Sequence, residues 1–193
     1  MLGSAPRLRR TDVDTGRSPM RRLLLLRHAK TERPEPAARD RDRKLTARGR
    51  SDAPLIGAYM ARHRLVPDLA LVSPATRADE TWALVAAAFK KPPRMLHDPR
   101  IYNASAETLA ELIREIEDAS ALLVVGHNPG LHDLAVQLIA SGDVEARERV
   151  NEKLPTLGLV VIEFAFDDWS RLRRSSGRLD RFVSPRLIAE ATD

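Results

Sequence analysis

Cysteine is absent from all 193 residues. Its absence excludes disulfides, a thiolate nucleophile and zinc held by thiolates, and accords with a reducing cytoplasm, where we expect the protein. Long apolar runs are missing too. No stretch approaches the roughly 20 residues that a membrane-spanning helix needs, so no membrane association is expected. The Arg-rich beginning lacks the apolar h-region of a secretory signal. Nor is the chain basic throughout. Of the formal net charge of +5, residues 1–22 supply +4, from six Arg against two Asp, leaving +1 for everything else. The reading is a disordered basic arm over 1–20 and one domain over 21–193, without the basic face that nucleic acid would require. Neither an internal repeat nor a second domain boundary is visible.

What is present is the balance of a globular protein with a sizeable core: 43% apolar and 31% charged residues. Leu23, Leu24, Leu25 and Leu26 read as a short strand buried on both faces, which stops abruptly at Arg27-His28. Charged residues just past the carboxyl end of such a strand stand where open α/β sheets bind ligands. The polar segment 30–44 reads as a surface loop, either a lid over that end or a solvated connection. Thr46 caps a helix running to about residue 63.

A second buried strand covers 69–72. Ser73 as N-cap and Pro74 at the first helical position then open a helix through about residue 89. Arg77 falls in its first turn, where a cation opposes the helix dipole unless it faces an anion. Residues 94–97 form a weak strand, 98–103 a loop and 105–116 a helix. The clearest strand is 121–125, followed by Gly126-His127-Asn128-Pro129-Gly130, with Asn128 capping a helix to about residue 140. His127 thus repeats the layout of His28. Residues 142–153 are partly helical, 157–166 a strand, 179–183 a last pairing segment, and 185–187 pack back.

This alternation predicts an α/β fold: a three-layer α/β/α sandwich around a mostly parallel sheet. Arg27, His28, Arg77 and His127 then lie at strand ends along one edge. Two Arg and two His suit an anion, because a guanidinium fork bonds phosphate oxygens in pairs. No Asp or Glu stands near either His in a metal-ligand spacing, so no metal is expected.

Six stretches carry a resemblance: L-L-L-R-H-A-K at 24–30, R-K-L-T-A-R-G at 43–49, S-P-A-T-R-A-D-E-T at 73–81, V-V-G-H-N-P-G at 124–130, K-L-P-T at 153–156 and P-R-L at 185–187. In that order and spacing the sequence resembles the histidine phosphatase superfamily, the phosphoglycerate mutase-like fold, and within it the SixA-type phosphohistidine phosphatases. The resemblance implies that His28 attacks phosphorus and carries the phosphoryl group, while Arg27, Arg77 and His127 hold its oxygens, with no metal or organic cofactor. Asn128 and Arg43 are implied in substrate binding, although Arg43 could simply cap its loop. Tyr102 either borders the phosphate site or is a half-buried loop aromatic.

One position departs from the mutases and monoesterases of the superfamily. Where they place a Glu general acid shortly before a Tyr, this sequence has Pro99 before Tyr102. A sugar alkoxide needs an acid to leave; an imidazole needs far less help. The expected substrate is therefore phosphohistidine on a phosphotransfer protein, with the enzyme a monomer or weak dimer. Asp40, Asp42 and Glu32 in the loop are either substitute proton sources or plain solvated charges. The rival readings are a phosphatase for a small phosphate ester, such as a sugar phosphate or nucleotide, and a non-catalytic anion-binding regulatory module.

Overall fold

The computed structural model of the protein describes residues 20–34 and 39–191. The expected arm lies, but for its last residue, outside the described residues. Among the described residues seven strands form one sheet, in the order β3-β2-β4-β1-β6-β7-β5. They are β1 (Arg21–Arg27), β2 (Leu69–Val72), β3 (Arg94–His97), β4 (Ala121–Gly126), β5 (Ile139–Gly142), β6 (Leu159–Phe164) and β7 (Gly177–Val183). The neighbours β3, β2, β4 and β1 run parallel, as do β7 and β5; β6 is antiparallel to both β1 and β7. The mostly parallel sheet expected from the alternating pattern is therefore present.

The helices are α1 (Ala47–Arg62), α2 (Thr76–Ala86), α3 (Ala106–Arg114), α4 (Gly130–Leu138), α5 (Val144–Glu152) and α6 (Pro185–Glu190). Alternation along β1 explains how they divide into layers. Successive side chains of a strand point to opposite faces. Leu23 and Leu25 join Leu109, Leu131, Val150 and Trp169 on the face covered by α3, α4 and α5. Leu24 and Leu26 join Ile56, Met60, Trp82 and Val85 on the face covered by α1 and α2. All four leucines are fully buried, each stabilising the fold by about 1.5–3 kcal/mol. Trp82 and Trp169 are packing residues, as the sequence suggests.

Three local expectations are corrected. Ala75, not Ser73, is the N-cap of α2, because the Ser73 hydroxyl is taken by His127. Pro129, not Asn128, is the N-cap of α4; the Asn128 Nδ2 donates instead to the Leu154 carbonyl. The helix expected to reach residue 140 ends at Leu138. There the chain turns extended at Ile139, and residues 139–142 become the edge strand β5 against β7. Gly142 has φ 132°, a conformation open to glycine and strained for other residues.

Candidate active site

The sheet order places β2, β4 and β1 side by side and parallel, so their carboxyl ends meet at one edge. From β1 come Arg27 and His28, from β4 His127 and Asn128, from β2 Ser73, and Arg77 reaches in from the first turn of α2. Arg77, His28 and His127 are 4%, 8% and 5% exposed. The two imidazole rings lie 5.2 Å apart between centroids. The four side chains singled out from the sequence thus converge.

His28 Nδ1 lies 2.8 Å from the Ala29 carbonyl oxygen. A carbonyl only accepts, so Nδ1 carries the proton and Nε2 keeps its lone pair. Burial pushes the His28 pKa down to about 4, helped by the positive charges of Arg77, Arg27 and Arg43. The ring is neutral at pH 7, with its nucleophilic nitrogen free. Its backbone is pinned from two sides. Thr81 Oγ1 accepts from the Ala29 N–H at 2.9 Å and donates to the Arg77 carbonyl, and the Leu157 N–H donates to the carbonyls of Arg27 and His28.

Arg77 Nε donates to His127 Nδ1 at 3.3 Å. His127 Nε2 therefore holds the ring proton and donates to Ser73 Oγ at 2.7 Å. Burial first, then the Arg77 charge, lowers the His127 pKa to about 3. Arg27 Nη1 donates to the Leu154 carbonyl at 2.8 Å, and Asn128 Nδ2 donates to the same oxygen at 2.9 Å. Arg27 Nε and Asn128 Oδ1 are buried without a hydrogen-bond partner among the described residues. The K-L-P-T stretch thus supplies the carbonyl on which Arg27 and Asn128 are hung.

Three guanidinium and phenol donors meet on Asp40, which the sequence offers as a substitute proton source or a solvated charge. Asp40 Oδ2 accepts from Arg77 Nη2 at 2.9 Å and from the Tyr102 hydroxyl at 2.8 Å, and Asp40 Oδ1 accepts from Arg43 Nη1 at 2.8 Å. Arg77 Nη1 also donates to the Asp40 carbonyl at 2.7 Å. Tyr102 stands edge-on to His127 and close to the Arg77 guanidinium, so it borders the site. Arg43 closes the loop through Glu32 O and Thr31 Oγ1, and it also reaches Asp40. These bonds, the one from Arg43 foremost, hold the Asp40 carboxyl far below the usual carboxylate range. Its spacing of three residues from Arg43 was the available signal, but the contact with Arg77 spans 37 positions. Among the described residues no group of three or more His, Asp or Glu side chains is arranged to hold a metal ion.

A family model described as histidine phosphatase superfamily (branch 1) matches residues 23–119. The chain belongs to this superfamily. An uncharacterized protein of Mycobacterium tuberculosis is 36% identical over 164 residues, covering 83% of this chain and all of that protein. The provisionally assigned phosphohistidine phosphatase SixA of Agrobacterium tumefaciens is 30% identical with a TM-score of 0.73, over 86% of this chain and 98% of that one. A structure of the protein histidine phosphatase SixA complexed with tungstate superposes with a TM-score of 0.66 at 21% identity, over 86% and 99% of the two chains, a likeness of fold. Among histidine phosphatases, then, this chain has an α/β scaffold of the same kind, with its two histidines and two arginines at the shared strand edge.

Proposed function

We propose that this histidine phosphatase removes phosphate from phosphohistidine on a protein. The observation that carries the reading is the protonation of the site. The carboxylate at the cradle, Asp40, is held ionised by Arg43, Tyr102 and Arg77, and both histidines are neutral. Pro99 opens the turn before Tyr102. No carboxylic acid described there keeps a proton for an alkoxide leaving group at neutral pH. An imidazole leaves without one.

His28 Nε2 attacks phosphorus as the bond from phosphorus to the substrate imidazole breaks. That imidazole, protonated on its other nitrogen by solvent, departs neutral, and the phosphoryl group stays on His28. Arg77 and Arg27 offset the charge on its non-bridging oxygens. Water then attacks phosphorus, the bond to Nε2 breaks, and phosphate leaves while the water's proton passes to phosphate or solvent.

The test is a dephosphorylation panel: a phosphohistidine protein, unactivated sugar phosphates and nucleotides, with His28→Ala as control. The expected result is turnover of the phosphohistidine protein at least about a hundredfold faster than the esters, with label trapped on His28 and lost in His28→Ala. Equal or faster turnover of an ester overturns the substrate reading. Anion binding without turnover leaves the regulatory module.

A further inference from the structure

The donors expected to grip a phosphoryl group are gathered on a carboxylate of the chain itself. Arg77, Arg43 and Tyr102 each place a donor within 2.9 Å of the two Asp40 carboxylate oxygens. Three donors from three separate segments around two oxygens of one anion is the arrangement a phosphate would require. The two partners of the central ion pair differ in freedom. The Arg77 side chain is 5% exposed and the Asp40 side chain 47%. The arginine is fixed by the fold, whereas the aspartate stands at the mouth, where water can take it. Asp40 also opens a single helical turn, Asp40–Asp42, with no buried residue; beyond the carboxylate, what holds it to the site is the bond from Arg77 Nη1 to its carbonyl.

We propose that Asp40 is an internal stand-in for the phosphoryl group, a specificity-determining residue that an incoming oxyanion must displace from Arg77, Arg43 and Tyr102. The inference rests on the phosphoryl-transfer reading of the cradle and adds a consequence for selectivity. A small free anion, including the phosphate product, has to win the donors from a tethered competitor. A phosphorylated protein brings contacts outside the cradle that help it do so. Apparent affinity falls by the fraction of molecules in which the cradle is open.

Calorimetric titration of the full chain with tungstate, and separately with inorganic phosphate, at fixed ionic strength tests this. Asp40→Asn and Asp40→Ser remove the competing charge. Asp42→Asn removes the same charge two residues away, where the carboxylate bonds only Arg39 among the described side chains. Expected is a Kd about tenfold lower in both Asp40 variants, with Asp42→Asn within twofold of the unmodified protein and melting temperatures close to it. Unchanged or weaker binding in the Asp40 variants makes Asp40 a positioning residue for Arg77 and overturns the proposal. Equal tightening in Asp42→Asn reduces it to a general charge effect and overturns it too. Tungstate binding that follows the expected pattern, without turnover of phosphohistidine protein, sinks the proposed substrate while leaving Asp40 its role.

Discussion

At the scale of single residues, the site works by keeping histidines neutral among arginines. His28 and His127 have folded pKa values of about 4 and about 3 against 6.5 for the free side chain. Both values are depressed, so the unfolded chain binds more protons than the folded one between pH 6.5 and 4. Stability therefore falls as pH is lowered through that window. Two imidazoles contribute a slope of up to about 2.7 kcal/mol per pH unit. Urea unfolding at pH 7, 6 and 5 should show it, and His127→Gln should remove about half. Nitrogen-15 imidazole spectra should find His28 as the Nδ1–H tautomer at pH 7, titrating near pH 4; a charged ring at neutral pH contradicts the nucleophile assignment. Arg77 makes a different demand. Its Nε serves His127 while its Nη atoms face Asp40, a reach that a single ammonium lacks. Arg77→Lys is expected to lower kcat/KM by about 10²-fold or more, with the melting temperature little changed.

At the scale of elements, the approach of α1 to the strand edge decides how firmly His28 is held. Thr46 accepts from the Gly49 N–H as the N-cap of α1, and the Thr46 N–H donates to the Lys30 carbonyl at 2.9 Å. The first turn of α1 is thereby stitched to the chain two residues past His28. A side chain at position 49 would overlap that same carbonyl oxygen, so the close approach requires glycine. Gly49→Ala should cost about 1–3 kcal/mol of stability and lower kcat as well, because the displaced backbone leads directly to Ala29 and its bond to the His28 ring. A stability loss with kcat intact would show that Lys30 and His28 move independently.

On the scale of the whole molecule, an aromatic cluster packs at the end of the sheet away from the chemistry. Trp169 is fully buried, packs its ring edge-on to Phe164 and Phe166, and donates from Nε1 to the Ala119 carbonyl just before β4 begins. That is the amino end of the parallel strands, remote from His28 and His127. Trp169→Ala should destabilise the fold by about 3–5 kcal/mol, a fall of roughly 6–20 °C in Tm for a chain of this size. At a temperature where the variant is folded, kcat should stay within about twofold. No helix among the described residues is long and apolar enough to cross a membrane.

The β-α alternation and the identity of Arg27, His28, Arg77 and His127 were legible in the sequence because each is a local event. A buried run ends, and the first charged residue after it stands at the strand's carboxyl edge. The contacts of Asp40 were not legible, since its donors come from positions 43, 77 and 102 and meet only when the sheet and helices are assembled. The same competition moved a cap. A capping bond is worth about 1 kcal/mol, and the Ser73 hydroxyl was drawn to the buried His127 ring, which no local pattern announces. Residues 139 and 140 went the same way: read as the end of a helix, they joined a strand over 139–142 that pairs with β7. Sequence determined which groups reach the strand ends; tertiary structure decided which of them touch, because hydrogen bonds and charge act over a few ångströms of space, whatever the distance along the chain.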